Sequence, residues 1–394
     1  MSAPPPASPP AAAPHCPHAP RCAGCALIGT PYTAQLAAKR GRLAAALDAH
    51  PSLAGVVAPP VQGSPHVFGY RNQAKLVARG SHRGLLLGVY RPGTHQVADS
   101  ARCAVHHPLI TRALAGVHAA LERAAAPIYD ERDGSGWLRY VVVRVSEWKR
   151  AVQIILVVRD RTWRGERPLL ERLRRLRGVA GVVLNVNPTT GNVILGAQFI
   201  AAPRELSLLE RIGGLKLTSR AGAFLQANLG TARRVYGAAT RLAALGGEET
   251  AVDLYCGVGA LTFHLAGSAQ FVVGVETVAG AVLDAKQNIR LNGYHNVRFL
   301  AAPAAAGMAQ AAALLDRVDV VSLNPPRTGA DEPTRAAIHA ARPARIVYVS
   351  CEPRTLARDL DWFAARGWSV AALEAFDMLP QTEHVECVAL LTRG

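Results

Sequence analysis

A cysteine at the end of an apolar strand is the first residue in this chain whose position suggests chemistry. The run ARIVYVSC stops at the thiol of Ser350-Cys351-Glu352-Pro353, and a helical pattern opens near Thr355. A buried strand cysteine is ordinarily a small hydrophobe. One at a helix start sits in a positive field that favours the thiolate, a soft nucleophile. A uracil ring needs such a group, because its C5 cannot attack a sulfonium methyl until a thiolate has added to C6. After methyl transfer C5 must lose its proton before the thiol can leave, so a general base must stand beside the cysteine. Near the C-terminus, Glu383-His384-Val385-Glu386 offers two carboxylates for that role, and spacing alone leaves both open.

A second constellation could hold a nucleoside. The segment DLYCGVG, Asp253 to Gly259, ends one apolar run and opens a helical one. Gly257 and Gly259 let the backbone pass close to a ligand where a β-carbon would clash. A dinucleotide fingerprint would want a third glycine where Thr262 stands, which weakens a pyrophosphate reading. S-adenosylmethionine, which carries no phosphate, needs only the close approach. The next strand ends at Glu276, where a carboxylate can accept both ribose hydroxyls. Asn324-Pro325-Pro326-Arg327 ends the fourth strand at the same edge, and two prolines without N–H groups stiffen that loop.

A third cluster is Cys16, Cys22 and Cys25, with Cys103 the other cysteine of the N-terminal half. Four thiolates suit zinc or an iron–sulfur cluster equally well by count. His15, His18, His106 and His107 are close enough in sequence to substitute. Because the cluster falls in a different domain from Cys351, its expected role is structural.

The elements that must position these groups divide the chain. Residues 1–14 are a Pro/Ala tail expected to be disordered, and 15–58 hold the cysteine segment and a helix over roughly 32–49. Residues 59–217 read as an α+β domain: LRYVVVRVS with AVQIILVVRD, and GVVLNVN with GNVILGAQFI, are expected hairpins. From 218 to 394, five short apolar strands alternate with helices and a hairpin without an intervening helix closes the chain. That is an α/β, Rossmann-like doubly wound sheet with one antiparallel strand, the class I methyltransferase arrangement. The 394 residues carry 44 Lys plus Arg against 28 Asp plus Glu, a net charge of +16 that favours a polyanionic partner. No apolar run is long enough to span a membrane and no export signal is evident. Seven cysteines, an odd number, argue for cytoplasmic thiol or metal chemistry rather than a disulfide framework.

DLYCGVGALTF, LNPPRTG, SCEPRTLARDL and DMLPQTEHVE follow one another in the order seen in the RNA uracil-C5 methyltransferases, and the chain resembles that family from Cys16 onward. The resemblance implies Cys351 as nucleophile and Glu386 as base. It matches Gln226 (in AFLQAN), Tyr255, Glu276 and Asn324 to the positions that hold S-adenosylmethionine. It matches Cys16, Cys22, Cys25 and Cys103 to the ligands of a [4Fe–4S] cluster. The cysteines set the chain apart from the usual tRNA branch, and no small RNA-binding barrel precedes Cys16. What remains is similar to the 23S rRNA enzymes that modify uridine 747. YRNQAK resembles a central-domain segment of these enzymes, with Arg71 and Lys75 as expected RNA contacts. Glu352 stands where the family usually has Asn, and its charge is expected to raise the thiol pKa; Asn324 replaces the Asp of some branches. The expected protein is a cytoplasmic monomer that binds RNA, not DNA or membrane. A tRNA uridine target is the alternative. A non-catalytic iron–sulfur RNA-binding protein is opposed by the intact Gly257, Gly259, Glu276, Cys351 and Glu386. An amino-group methyltransferase would want an aromatic residue where Arg327 stands.

Overall fold

The computed structural model describes residues 16–19, 21–81, 84–191 and 193–393. The Pro/Ala tail and His15 lie outside the described residues. Helix α1 (Tyr32–Asp48) leads to the short strand β1 (Val61–Gln62). A sheet follows, made of β2 (Gln73–Ser81), β3 (Gly84–Tyr90), β4 (Val97–Asp99), β5 (Leu138–Ser146), β6 (Ala151–Val158), β7 (Val179–Val186) and β8 (Gln198–Ile200). Helices α2 (Pro108–Arg123) and α3 (Glu166–Arg174) cover one of its faces. Strand β5 shows why both faces are apolar. Val141, Val143 and Val145 join the core under the helices, while Tyr140 and Val142 serve the opposite face.

Both expected hairpins form, β5 with β6 and β7 with β8. The second is short, because Asn185 and Asn187 bind the backbone of residues 193–198 with their side-chain amides and hold the preceding residues out of the ladder. Strands β6 and β7 pair in parallel across α3, a crossover that composition does not disclose.

The hairpin β9 (Ser207–Ile212) and β10 (Leu215–Arg220) then passes the chain to the second sheet. Its elements are α4 (Leu229–Ala243), β11 (Thr250–Leu254), α5 (Ala260–Ala266), β12 (Phe271–Glu276), α6 (Ala279–Asn292), β13 (Val297–Ala301) and α7 (Ala304–Leu314). After these come β14 (Val320–Leu323), α8 (Glu332–Ala340), β15 (Arg345–Ser350), α9 (Pro353–Ala364), β16 (Trp368–Phe376) and β17 (Glu386–Arg393). The strand order is β1-β16-β17-β15-β14-β11-β12-β13, with β17 the one reversed strand. The central strands are buried on both faces, which is why they read as continuous apolar runs rather than alternating ones.

One face packs against α1, α7, α8 and α9 through Leu43, Leu47, Met308, Ile338, Leu360 and Phe363. The other packs against α4, α5 and α6 through Val235, Tyr236, Phe263 and Val282. Helix α1 therefore lies on the doubly wound sheet, and β1 extends that sheet by pairing with β16. Neither placement is visible in sequence, where the whole of the first sheet separates both elements from the unit they join. No helix among the described residues is long and apolar enough to cross a membrane.

Candidate active site at the switch point of the sheet

Successive connections leave β11 in opposite directions, to β12 on one side and β14 on the other, and in open α/β sheets ligands bind beyond the carboxyl ends of the strands where the order reverses in this way. Tyr255, Gly257, Gly259, Glu276, Asn324 and Cys351 all follow or end strands at this edge. The loop after β11 is built on left-handed backbone: Tyr255 has φ 59°, Gly257 φ 56° and Gly259 φ 89°. A β-carbon on Gly259 would stand 2.7 Å from Phe299 and 2.8 Å from Phe263, whereas one on Gly257 would meet nothing within 4 Å. Gly259 is thus fixed by packing and Gly257 faces open space, the side from which a ligand can approach. Gly259→Ala is expected to lower the thermal midpoint, by strain of about 1–3 kcal/mol, and to weaken nucleoside binding measured by calorimetry.

Asp253 lies beneath this loop, fully buried. Its carboxylate accepts the hydroxyls of Thr262 at 2.6 Å and Ser322 at 2.5 Å, which ties α5 and β14 to the end of β11. Burial pushes its pKa up to about 6 in spite of those hydrogen bonds. Thr262, which replaces a glycine of the dinucleotide pattern, therefore has a structural duty. Glu276 takes one N–H on each oxygen, from Gly257 at 3.0 Å and Val278 at 2.8 Å. That fixes the carboxylate's direction and leaves a lone pair on each oxygen. Asn324 is half-buried beyond β14, its N–H donating to the Leu254 carbonyl at 3.4 Å. Gln226 is buried just ahead of α4, and its carbonyl accepts the Asn72 amide at 2.9 Å.

Cys351 and Glu386 are brought together by strand register. Strands β15 and β17 run antiparallel with Ser350 opposite Cys387. Cys351 leaves β15 just past that pair and Glu386 opens β17 just before it, so the two side chains come near enough for the carboxylate's charge to act on the thiol. Glu386 is 3 % exposed and Cys351 half-buried. Burial, opposed by Arg327, lifts the Glu386 carboxyl to about 7. Burial and then the charge of Glu386 raise the Cys351 thiol, while Arg327 pulls it down by its charge and by a hydrogen bond. Glu383 is exposed and paired with Arg42 at 3.3 Å.

Helix α9 begins at Pro353, close to the expected start, with Glu352 as its N-cap accepting the Arg354 N–H at 3.4 Å. The carboxylate with the largest influence on the thiol is Glu386.

Arg327 is a side chain of this site to which sequence reading gave no role. Its guanidinium acts on both Cys351 and Glu386 and approaches His384 Nε2 at 3.1 Å. Helix α9 holds its loop: Thr355 donates to the Arg327 carbonyl at 3.0 Å, Arg358 to the Thr328 carbonyl at 2.9 Å, and Asp359 accepts the Ala330 N–H at 2.8 Å. The stiff Pro-Pro step before it was the available signal.

The cysteines of the N-terminal half share one neighbourhood. Burial raises Cys25 to about 12, helped by Cys103, Cys22 and Cys16 and opposed by Arg71. Burial likewise raises Cys103, against Arg71. Among the described residues, however, no three His, Cys, Asp or Glu side chains close into a metal-binding group. Arg71, expected to contact RNA, is half-buried and its charge acts on these thiols. Lys75 is exposed, beside Arg144.

The family model for tRNA (uracil-5-)-methyltransferase matches residues 192–394. An uncharacterized RNA methyltransferase of Geobacter sulfurreducens is 41% identical, covering 97% of this chain and 77% of its own. One of Halalkalibacterium halodurans is 34% identical over 95% of this chain and 82% of its own. Among solved structures, the tRNA (uracil-54, C5)-methyltransferase of Pyrococcus abyssi, in complex with S-adenosyl-L-homocysteine, superposes with a TM-score of 0.76. It is 24% identical over 95% of this chain and 86% of its own, a likeness of fold. The strand order and these matches agree that the chain belongs to the tRNA (uracil-5-)-methyltransferase family.

Proposed function

We infer that this chain transfers a methyl group to C5 of a uridine in RNA, with Cys351 as nucleophile and Glu386 as base. The observation that supports the reading is the meeting of the ends of β15 and β17, where a thiol lies within electrostatic reach of a buried carboxylate and one guanidinium. The Cys351 sulfur bonds to C6, and the ring's electron pair moves toward C5 and the O4 oxygen. Arg327 steadies the thiolate that begins this step. Once C5 carries the methyl, Glu386 takes its proton, the C5–C6 double bond re-forms and the C6–S bond breaks.

S-adenosylmethionine, when bound, supplies an electrophilic methyl on sulfonium. Gly257's open flank and the two free lone pairs of Glu276 suit its nucleoside half, with Gln226, Tyr255, Asn324 and Gly259 completing the holder.

The target is a uridine of 23S rRNA, position 747 by the resemblance that the cysteines carry. A second reading, a tRNA uridine, is favoured by the family model and by the Pyrococcus structure. Nucleoside mass spectrometry of rRNA and tRNA from cells lacking this chain decides between them. Loss of 5-methyluridine from 23S rRNA alone supports the first, loss from tRNA the second, and loss from neither overturns the function.

Cys16, Cys22, Cys25 and Cys103 are the residues that would hold a [4Fe–4S] cluster. Support comes from the donor chemistry: Cys16, Cys22 and Cys103 are three thiols whose charges act on the fourth, Cys25, next to the guanidinium of Arg71. Protein purified without oxygen is expected to be brown and to contain about four irons per chain. Colourless protein with one zinc would refute this assignment.

A further inference from the structure

The segment between β16 and β17 carries the chain into Glu386. Asn228 and Thr231 at the start of α4 hold the carbonyls of Met378 and Asp377, and the residues that follow are held from the N-terminal part of the chain. Three successive carbonyls are each clipped by a donor from the N-terminal part of the chain. Leu379 O accepts the Lys39 ammonium at 3.1 Å, Pro380 O the Tyr70 hydroxyl at 2.8 Å, and Gln381 O the Leu27 N–H at 2.9 Å. Gln381 is buried, 2 % exposed, and its backbone has φ 70°. A residue with a side chain keeps that left-handed conformation only where its surroundings over-determine it. Gln35 supplies the determination. Its amide oxygen accepts the Gln381 N–H at 3.0 Å and its amide nitrogen donates to the Gln381 side chain at 2.9 Å and to Thr30 O at 2.8 Å. Lys39 and Tyr32 also bind Asp377 at the start of the segment, the tyrosine at 2.9 Å.

The segment itself enters the sheet's cores through Met378 and Val385, and these polar contacts come in addition to that packing. They converge on a loop that begins one residue after β16 and ends at the buried carboxyl near Cys351.

We propose that Leu27, Gln35, Lys39 and Tyr70, acting through Gln381, form a brace that positions Glu386 for proton removal from C5. This rests on Glu386 being the base. The brace orients and does not touch the ring, so its residues are positioning residues. It acts on the step after methyl transfer, because addition and transfer use Cys351 and the loop after β11. The N-terminal segment is therefore not remote from the chemistry, since Leu27 follows closely on Cys25.

The test uses full-length enzyme and an RNA in which the target uridine is unmodified. Single-turnover methyl transfer and discharge of the protein–RNA adduct are followed separately, the second on denaturing gels. Tyr70→Phe deletes one hydroxyl and Gln381→Ala one amide, both mild enough to preserve folding. Each is expected to slow discharge by about tenfold or more, the cost of a small misplacement, while methyl transfer stays within about threefold. An adduct to ordinary uridine then accumulates. A merely structural role would slow both steps together. That outcome, or no slowing of either, overturns the brace. Glu386→Gln is run alongside. If it accumulates adduct while the brace variants do not, the brace alone fails. If it discharges normally, the assignment of the base fails and takes the brace with it.

Discussion

Cys351→Ala is expected to abolish turnover, a loss on the order of 10⁴-fold or more, as for enzymes whose nucleophile is removed. The fold should survive. The thiol is half-buried just past the end of β15, outside its ladder. Its removal leaves a small gap worth about 1 kcal/mol. Loss of activity with an almost unchanged melting curve separates a chemical role from a packing role. Cys256 and Cys387, both buried, provide the contrast: truncating either should lower stability.

Glu386→Gln is expected to act on a different step and in two directions. Removing the base should slow discharge by about 10²–10⁴-fold. Addition should become easier, because the Glu386 charge is among the influences that raise the Cys351 thiol, so the variant forms its adduct at lower pH than the wild type. The wild type's discharge should rise with pH through about 7, where Glu386 loses its proton.

Stability follows the same group with the opposite sign. The folded-state pKa is raised from 4.5 to about 7, so the folded state binds the proton more tightly than the unfolded one. The stabilisation is complete below pH 4.5 and is lost as pH rises to about 7. A shift of that size corresponds to about 3 kcal/mol. Glu386→Gln should therefore melt higher than the wild type at pH 8, and the difference should fade toward pH 5. Glu383→Gln, at an exposed pair with Arg42, should match the wild type in both activity and melting.

The parts of this site that were legible in the sequence are those governed by local pattern. Continuous apolar runs marked the doubly buried strands, and residues standing where such runs stop had to fall at one edge of a parallel sheet. Cys351, Asn324, Glu276 and the Gly257-Gly259 loop were accessible for that reason. Choosing Glu386 over Glu383 needed more than pattern. Both precede or open the last strand, and only the register with β15 buries one near the thiol while leaving the other in solvent.

What could not be read were contacts between segments far apart in the chain. Arg327 reaches Cys351 and Glu386 because helix α9 pins its loop, and no periodicity reports that. The pairing of β1 with β16 joins segments from opposite ends of the chain. Helical pattern revealed α1 but not which sheet it covers, since an apolar face specifies burial and not a partner. For the same reason the cysteine segment read as remote, although Leu27 hydrogen-bonds to Gln381.

The central claim is a covalent bond between Cys351 and C6 that Glu386 later allows to break. A target RNA carrying 5-fluorouridine tests it most directly. Fluorine cannot leave C5 as a cation, so the elimination step has no proton to remove and the adduct persists after methyl transfer. Wild-type enzyme with labelled RNA and S-adenosylmethionine should give a species, stable to denaturation, that holds protein, RNA and methyl group together. Peptide mapping should place the link at Cys351, and Cys351→Ala should give none. Turnover persisting in Cys351→Ala, or methylation of the fluorinated RNA with no trapped species, would contradict the account.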